Sequence, residues 1–499
     1  MKEKNLEEFV AILHRIENEI DINNFKVCGI DYWPLIRTSI WMNYRQSYLS
    51  GNNKSFRVVE NDFIRKLSVF FRSFFTGNMF YLFGSRKLQK AEVLFFGDVS
   101  SLRVASNVQG CYSDYFLDPL IENFKGNRSV FIIRQNFAFL RPVKGLHNYY
   151  IIGFDFLLYS FKSLFISEKR IISAEFIQDY NKLVGSSEYL KDFIPSPKYL
   201  FRHIRMTHSF SSLMLKYLKQ IDPKVVFLTH YNGHLSTSII YTSKALGIPV
   251  VDVQHGVINQ LHPSYSYLNQ NVYKLNSVPN AFLLNDKRSY EILAKWVPLK
   301  RIYVMTKVRV APNEASRFNL ESSFFSSIEK MAFRRKLVLI TLSWEDRIND
   351  LLIEVVNKSS DIAYFMFRLH PSTSLMYEKK LRKIIRNQIY SDNYHIHCAK
   401  ELSLELILEK IDIHVTECST VVLEALKFRR KSIVVSQQGF EYYKDLVHSG
   451  VLMYAPSCLE LLNYLNDETT YRLHSSMSDF DSGPGNNFDL FINGLEHAE

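Results

Sequence analysis

The sequence predicts an α/β chain of two doubly wound domains facing a cleft, with a helical N-terminal extension. Three observations predict it. The stretch DIHVTECSTVVLEALKFRRKSIVV (412–435) reads as strand, tight turn, helix and second strand, a βαβ unit whose crossover implies a parallel sheet. PKVVFLTHYNG through IPVVDVQHG (223–256) repeats the pattern upstream. In both runs the polar residues gather where strands end, at the edge where open α/β sheets bind ligands.

A chain of 499 residues has room for about two to four domains. With 47% hydrophobic and 22% charged residues it has the makeup of a protein that buries a core, and no large disordered span is expected. The net charge of +11 suits nucleic acid, an anionic membrane surface or phosphorylated substrates. Zinc-finger spacing and RNP motifs are missing, which ranks phosphorylated substrates and a membrane above nucleic acid. Cys28, Cys111, Cys398, Cys418 and Cys458 are scattered without a CxxC pair. That argues against a disulfide framework or structural zinc, and for a reducing cytoplasm. The opening MKEKNLEEFVAILHRIENEI reads as an amphipathic helix rather than a signal peptide, and no apolar run is long enough to span a bilayer.

Residues 1–90 are expected to form the helical extension, part of the first half. Gly29 marks a turn there, and Pro34 fits the first turn of a helix. Segment 64–89 alternates Phe70, Phe71, Phe74, Phe75, Phe80, Tyr81 and Phe83 with Arg65, Lys66, Arg72, Arg86 and Lys87. This suits a membrane interface, or equally a packed helix with a solvated basic face. The first domain runs over 91–280. Its strands are AEVLFFGD, ending at Asp98; SVFIIR (129–134); PKVVFLTHYNG, ending at His230; and IPVVDVQHG, ending at Gln254, His255 and Gly256. The aromatic stretch 149–167 fits either core or a second surface that meets lipid. Residues 257–279, with Pro263, Pro279 and many Tyr, Ser and Asn, read as a linker. The second domain runs over 281–480, through AFLLN, RIYVMT, RKLVLITLSWEDR, YFMFRLHPS, HIHCA, the 412–435 unit and LMYA. The tail 481–499 is expected to cross back to the first half.

Thr416, Glu417, Ser419 and Thr420 stand where a helix begins, where hydroxyls cap and free N–H groups suit an anion. Glu424, one turn on, returns toward the strand mouth and is placed to hold a ribose diol. An ordinary capped helix has the same residues, and a lone histidine after a strand is usually a loop residue. The argument for a phosphate pocket is the pairing of Ser419 and Thr420 with His370, which Pro371 sets at the end of an apolar strand on the same sheet edge. Ser343, Trp344 and Glu345 leave a further strand on that side, and Asp98, His230 and His255 face them from the first half.

VVDVQHG, FRLHP and HVTECSTVVLEAL, in that order and spacing, resemble bacterial surface-polysaccharide glycosyltransferases of the GT-B fold, built of two Rossmann-like domains. The likeness is to capsule enzymes that use CMP-activated sugars (polysialyltransferase-like and Kdo-transferase-like) and to the CDP-glycerol glycerophosphotransferases of teichoic acid synthesis. It covers residues 220–455. The resemblance implies that His370 with Pro371, and Ser419 with Thr420, hold the donor phosphate, that Glu424 holds the ribose, and that His255 in its His-Gly motif is a candidate general base. The chain departs from the pattern at GDVSS (97–101), which has a single glycine, and at TKVRVA, where relatives carry a glycine-containing turn.

The expected reaction moves a sugar from a nucleotide-activated donor of CMP or CDP type to a surface-polysaccharide or lipid-linked glycan acceptor. No cofactor and no metal are expected. His255 is the first choice of base, because imidazole titrates near neutrality, and Asp98 the second. His230 belongs to the acceptor side; Ser343 and His370 belong to the donor side, the latter as a cation on the leaving phosphate. The alternatives are a CDP-glycerol-type polyol-phosphate transferase, a sugar-nucleotide epimerase and a non-catalytic glycan-binding protein. The expected partners are the nucleotide-sugar, the glycan or lipid-linked acceptor and an anionic membrane contacted peripherally from the cytoplasm, with no nucleic acid.

Overall fold

The computed structural model describes residues 6–50, 88–98, 102–104, 112–114, 116–124, 129–135, 149–151, 154–167, 172–305, 326, 328–342, 348–370, 375–398 and 404–467. The strands, in chain order, begin with a hairpin of β1 (Lys26–Val27) and β2 (Ile30–Asp31). The first sheet then takes β3 (Val93–Asp98), β6 (Val130–Gln135), β7 (Tyr149–Ile151), β8 (Val225–Leu228), β9 (Val250–Val253), β10 (Ala281–Leu284) and β11 (Ile302–Val304). An antiparallel pair, β4 (Leu102–Val104) and β5 (Tyr112–Asp114), lies between β3 and β6 in the chain. The second sheet takes β12 (Lys336–Thr341), β13 (Ala363–Leu369), β14 (Tyr394–Cys398), β15 (Ile413–Thr416), β16 (Lys431–Val434) and β17 (Met453–Tyr454).

Both sheets are wholly parallel and share one plan. The first has the order β11-β10-β9-β8-β3-β6-β7 and the second β14-β13-β12-β15-β16-β17. In each, the chain lays three strands outward in one direction, returns to the first, and proceeds the other way. The reversal falls between β3 and β8 in one sheet and between β12 and β15 in the other, opening a crevice at the carboxyl ends of those strands. Burial on both faces explains the unbroken apolar strands: on β8, Val226 and Leu228 join one core and Val225 and Phe227 the other.

Two helices precede the first sheet, α1 (Leu6–Glu19) and α2 (Trp33–Ser50). On α1, Leu6, Phe9, Val10, Leu13 and Ile16 form one helical stripe, and all are buried. Arg37 of α2 is fully buried, with Nε 2.7 Å from Glu17 Oε1 of α1. It donates to the carbonyls of Pro263 and Ser266 and lies 4.4 Å over the Tyr267 ring. The indole N–H of Trp33 donates to the same Glu17 oxygen at 2.9 Å.

Two expectations need correction. Residues 257–279 are no linker: Leu261, Tyr265, Tyr267, Val272, Leu275 and Val278 are buried in the first core, and the segment straps that domain from β9 to β10. Tyrosine and serine suggested solvent, but tyrosine buries its ring while its hydroxyl finds a partner, as Tyr265 does by donating to Asp252 at 2.6 Å. Nor does the first domain end at 280, since β10 pairs with β9 and β11 with β10. A short apolar run has the same pattern in either sheet, so sequence cannot assign it to one. Residues 51–87, which hold nearly all of the basic aromatic segment, and the tail 481–499 lie outside the described residues. Among the described residues no helix is long and apolar enough to cross a membrane.

At the centre of the second sheet, His414 bridges three strands: Nε2 meets Thr341 Oγ1 at 2.8 Å and Nδ1 meets Ser432 Oγ at 2.7 Å. Burial lowers its pKa from 6.5 to about 3. The unfolded chain therefore binds a proton that the folded chain refuses, and this group costs no stability above pH 6.5 but an increasing amount as pH falls from there toward 3. In urea unfolding between pH 7 and 4, the stability advantage of wild type over His414→Gln should shrink with falling pH, by up to about 1.4 kcal/mol per unit. A constant difference would contradict a neutral buried imidazole.

Candidate functional site

The first crevice is built from the exits of β3, β8 and β9. After β8 the chain turns at His230, whose φ of +62° lies in the left-handed region. After β9 come Gln254, His255 and Gly256. The two turns bring the imidazoles of His230 and His255 together, with ring centroids 3.3 Å apart and planes at 38°. Gln254 fixes the second turn. Its amide nitrogen lies 2.9 Å from the Gly256 carbonyl, 3.0 Å from Asp286 Oδ2 and 2.9 Å from Ser289 Oγ, and its oxygen accepts from the Asn285 N–H at 2.7 Å. The side chain of one residue thus ties the His-Gly turn to the exit of β10.

Burial, followed by the neighbouring His230 and His262, lowers the pKa of His255 well below the ordinary histidine value. His262, half-buried near the pair, accepts the Ser264 N–H at Nδ1 over 3.2 Å, which leaves its proton on Nε2; desolvation lowers its pKa to about 3. Beneath them Asp252 accepts from Tyr265, and burial raises its pKa to about 8. His255, His262 and Asp252 are thereby driven toward their uncharged forms.

The second crevice opens between β12 and β15, and Thr416 stitches it. Its hydroxyl donates to the Thr341 carbonyl at 2.8 Å and accepts the Ser419 N–H at 3.2 Å. The next helix, Val421–Lys427, starts two residues later than the sequence suggests. Only Ser419 behaves as a capping hydroxyl, accepting the Val421 N–H at 3.3 Å. Thr420 stands at the N-cap in right-handed helical conformation, and its side chain makes no cap bond. Helical backbone at that position turns the hydroxyl away from the N–H groups it was expected to satisfy.

The turn is held from behind by residues 436–443. Ser436 Oγ donates to the Glu417 carbonyl at 2.7 Å, and Tyr443 Oη donates to the Ser419 carbonyl at 2.8 Å. Gly439 touches the turn so closely that a Cβ there would lie 1.9 Å from the Glu417 oxygen. Glu424 is half-buried near Tyr443, whose pKa is pushed well above 10, first by burial and then by Cys418 and Glu424.

The two crevices meet. A Cβ built on Gly256 would stand 3.9 Å from the Thr420 methyl, so the His-Gly turn of one domain abuts the Ser-Thr turn of the other. Asn259 donates to the Tyr442 carbonyl at 3.0 Å, Arg288 pairs with Asp445, and Lys444 pairs with Glu7 of α1 at 2.9 Å, which fastens the halves around that junction. His370 directly follows β13 and is half-buried. Only β12 separates β13 from β15, so the strands that lead to His370 and Ser419 end at the same sheet edge about 10 Å apart. Asp98 closes β3 at the first reversal; its side chain, like Ser343 and Pro371, lies outside the described residues.

Gln254, Gly439 and Tyr443 were not foreseen as parts of this arrangement. Gln254 sits inside the VVDVQHG motif, so its place beside His255 was a signal. A glycine two residues into a helix is a weaker one, and nothing in the sequence marks Tyr443.

No protein-family model matches the chain, and no curated protein matches it in sequence. Among solved structures the chain is similar to UDP-GlcNAc 2-epimerase from Methanocaldococcus jannaschii in complex with UDP-GlcNAc and UDP, with a TM-score of 0.44 and 14% identity over 75% of this chain and 93% of that one. It is also similar to UDP-GlcNAc 2-epimerase from Neisseria meningitidis bound to UDP-GlcNAc, at 0.45 and 14% over 81% and 98%. A third is Arabidopsis thaliana UGT89C1 complexed with UDP-L-rhamnose, at 0.46 and 12% over 78% and 92%. By its own strand order, the chain is a two-domain α/β protein of GT-B-like fold with a helical N-terminal region.

Gly439→Ala tests the grip on the Ser-Thr turn. The added methyl meets a backbone oxygen that cannot swing aside, so urea unfolding should show a loss of about 1–3 kcal/mol. Unchanged stability would mean that the turn is free to shift.

Proposed function

We propose that the chain is a glycosyltransferase that moves a sugar from a nucleotide-activated donor, of CMP or CDP type, to a surface-polysaccharide or lipid-linked glycan. The observation that carries this reading is the abutment of Gly256 on Thr420, where the reversal points of two doubly wound sheets share one junction. In the proposed reaction the acceptor hydroxyl oxygen attacks the anomeric carbon of the donor, and its proton passes to His255. The bond from that carbon to the phosphate oxygen breaks, and the nucleotide leaves with the electron pair. Ser419, Thr420 and a protonated His370 stabilise the departing phosphate, Pro371 and Ser343 shape its pocket, and Glu424 holds the ribose. His230 lies on the acceptor side, and Asp98 is the second candidate for base. The cytidine preference rests on the resemblance of the three motifs.

The first test is a thermal-shift panel of CMP, CDP, UDP, GDP and ADP on wild type and on His370→Ala. A shift with a cytidine nucleotide that is lost in the folded variant supports the donor site. A shift with UDP alone discards the cytidine families and leaves transfer to be separated from epimerisation by whether an acceptor is needed. No shift with any nucleotide overturns the reading in favour of a glycan-binding protein.

His255→Ala should keep the nucleotide shift while nucleotide release from the donor falls about a hundredfold or more. Because burial holds its pKa well below 6.5, His255 is neutral at pH 7 with a ring nitrogen lone pair to act as base, so the acid limb of kcat/KM should lie below pH 6.5. Loss of nucleotide binding in this variant, or an acid limb at or above pH 6.5, would remove His255 as the base.

A further inference from the structure

The helix Phe154–Leu164 lays one face on the helix Pro197–Ile221, where Tyr217 donates to Asp155 at 2.5 Å and Ser209 donates to the Tyr159 carbonyl at 2.7 Å. A helix so placed ordinarily shows polar residues to water. This one shows Leu158, Phe161 and Phe165, spaced as a single stripe, with Leu164 beside them. Phe161 is 51% exposed and Phe165 74%, and their rings pack edge to face at 5.1 Å, forming one protruding apolar knob.

On these two helices the charge is predominantly basic. The acid of this helix, Asp155, is taken up by Tyr217. Its base, Lys162, stands among the exposed residues with the ammonium 4.4 Å from the Tyr159 ring. The supporting helix Pro197–Ile221 contains Lys198, Arg202, Arg205, Lys216 and Lys219 and no carboxylate, and exposes Leu215 beside Lys216 and Lys219.

We propose that this face docks on an anionic lipid membrane, with Phe161 and Phe165 entering the interfacial layer and Lys162 reaching the headgroups. The knob is convex, which suits a deformable surface rather than a preformed complementary groove. A second copy would set like charges against like in a chain of net charge +11. An anionic bilayer accepts the rings while long lysine stems carry their charge to the phosphates. The proposal deepens the transferase reading, because a lipid-linked acceptor is presented at such a surface. It rests on that reading for its purpose but not for the binding itself.

The test is co-sedimentation of the full chain with vesicles of phosphatidylcholine alone and of phosphatidylcholine mixed with phosphatidylglycerol, with light scattering on the free protein. The expected result is binding to the mixed vesicles that weakens with added salt, and at least about a tenfold loss of partition in F161S/F165S. The nucleotide thermal shift of that variant should match wild type, so failure of docking and failure of the donor site read out separately. Lys162→Glu, which removes no apolar surface, should weaken binding in the same direction and carries the test if the double variant does not fold. Wild type that ignores anionic vesicles, or a folded double variant that binds as well as wild type, overturns the proposal. So does a dimer that F161S/F165S converts to a monomer, which would assign the face to a second copy.

Discussion

The first domain depends on how one buried guanidinium is satisfied. Arg37 has no exposed surface, and a charge removed from water must be repaid by partners in good geometry. Its partners come from separate parts of the chain: Glu17 from α1, the carbonyls of Pro263 and Ser266 from the strap after β9, and the ring of Tyr267 from the same strap. Lysine offers one point charge and no planar fork, and would leave part of this set unmet. Breaking a buried pair of this kind costs about 3–5 kcal/mol, because the remaining charge is stranded. The N-terminal helices are thus part of the first domain, and through the strap they set His262 and Tyr265 near His255.

The same logic extends to the second domain. Glu7, on the helix that carries Glu17, reaches Lys444, and Lys444 directly follows Tyr443, the residue that supports the Ser419 carbonyl. A continuous line of contacts runs from the Ser-Thr turn, through residues 436–444, along α1 to Arg37, and through the strap to the His-Gly turn. Each sheet positions its own turn by reversing strand order, while this line sets the distance between them. Exposed ion pairs contribute little stability singly; here the buried Arg37–Glu17 pair anchors one end of the line and the close packing of Gly439 the other.

Much of this was legible in the sequence because a parallel sheet buried on both faces leaves a simple trace. Strands such as VVFL and YFMF are apolar throughout, and polar residues gather toward their exits, so His230, His255, His370 and Ser419 marked the carboxyl edges before any coordinates did. The same trace was ambiguous for AFLL and IYV, which satisfy either sheet; in the fold AFLL pairs with β9 and IYV with β10. The strap misled for a different reason. Its Tyr, Ser and Asn are residues of turns, and their burial depends on partners such as Asp252 and Arg37 that no local pattern reveals. The capping of Ser419 rather than Thr420 was decided by the backbone conformation of a single residue, which hydroxyl chemistry alone cannot rank.

The histidine pair has a consequence for the proposed reaction. Two imidazoles with centroids 3.3 Å apart repel when both are charged, so a proton on one opposes a proton on the other. A proton taken from an acceptor therefore belongs to the pair, and the basicity that matters is that of His230 and His255 together. His262 and Asp252 sharpen the effect from nearby: the one is neutral because its proton is lost to desolvation, the other because its proton is retained. With neither charged, nothing beneath the pair competes for or compensates the arriving proton. In the proposed reaction, the positive charge formed on the pair would be balanced by the negative charge developing on the departing phosphate.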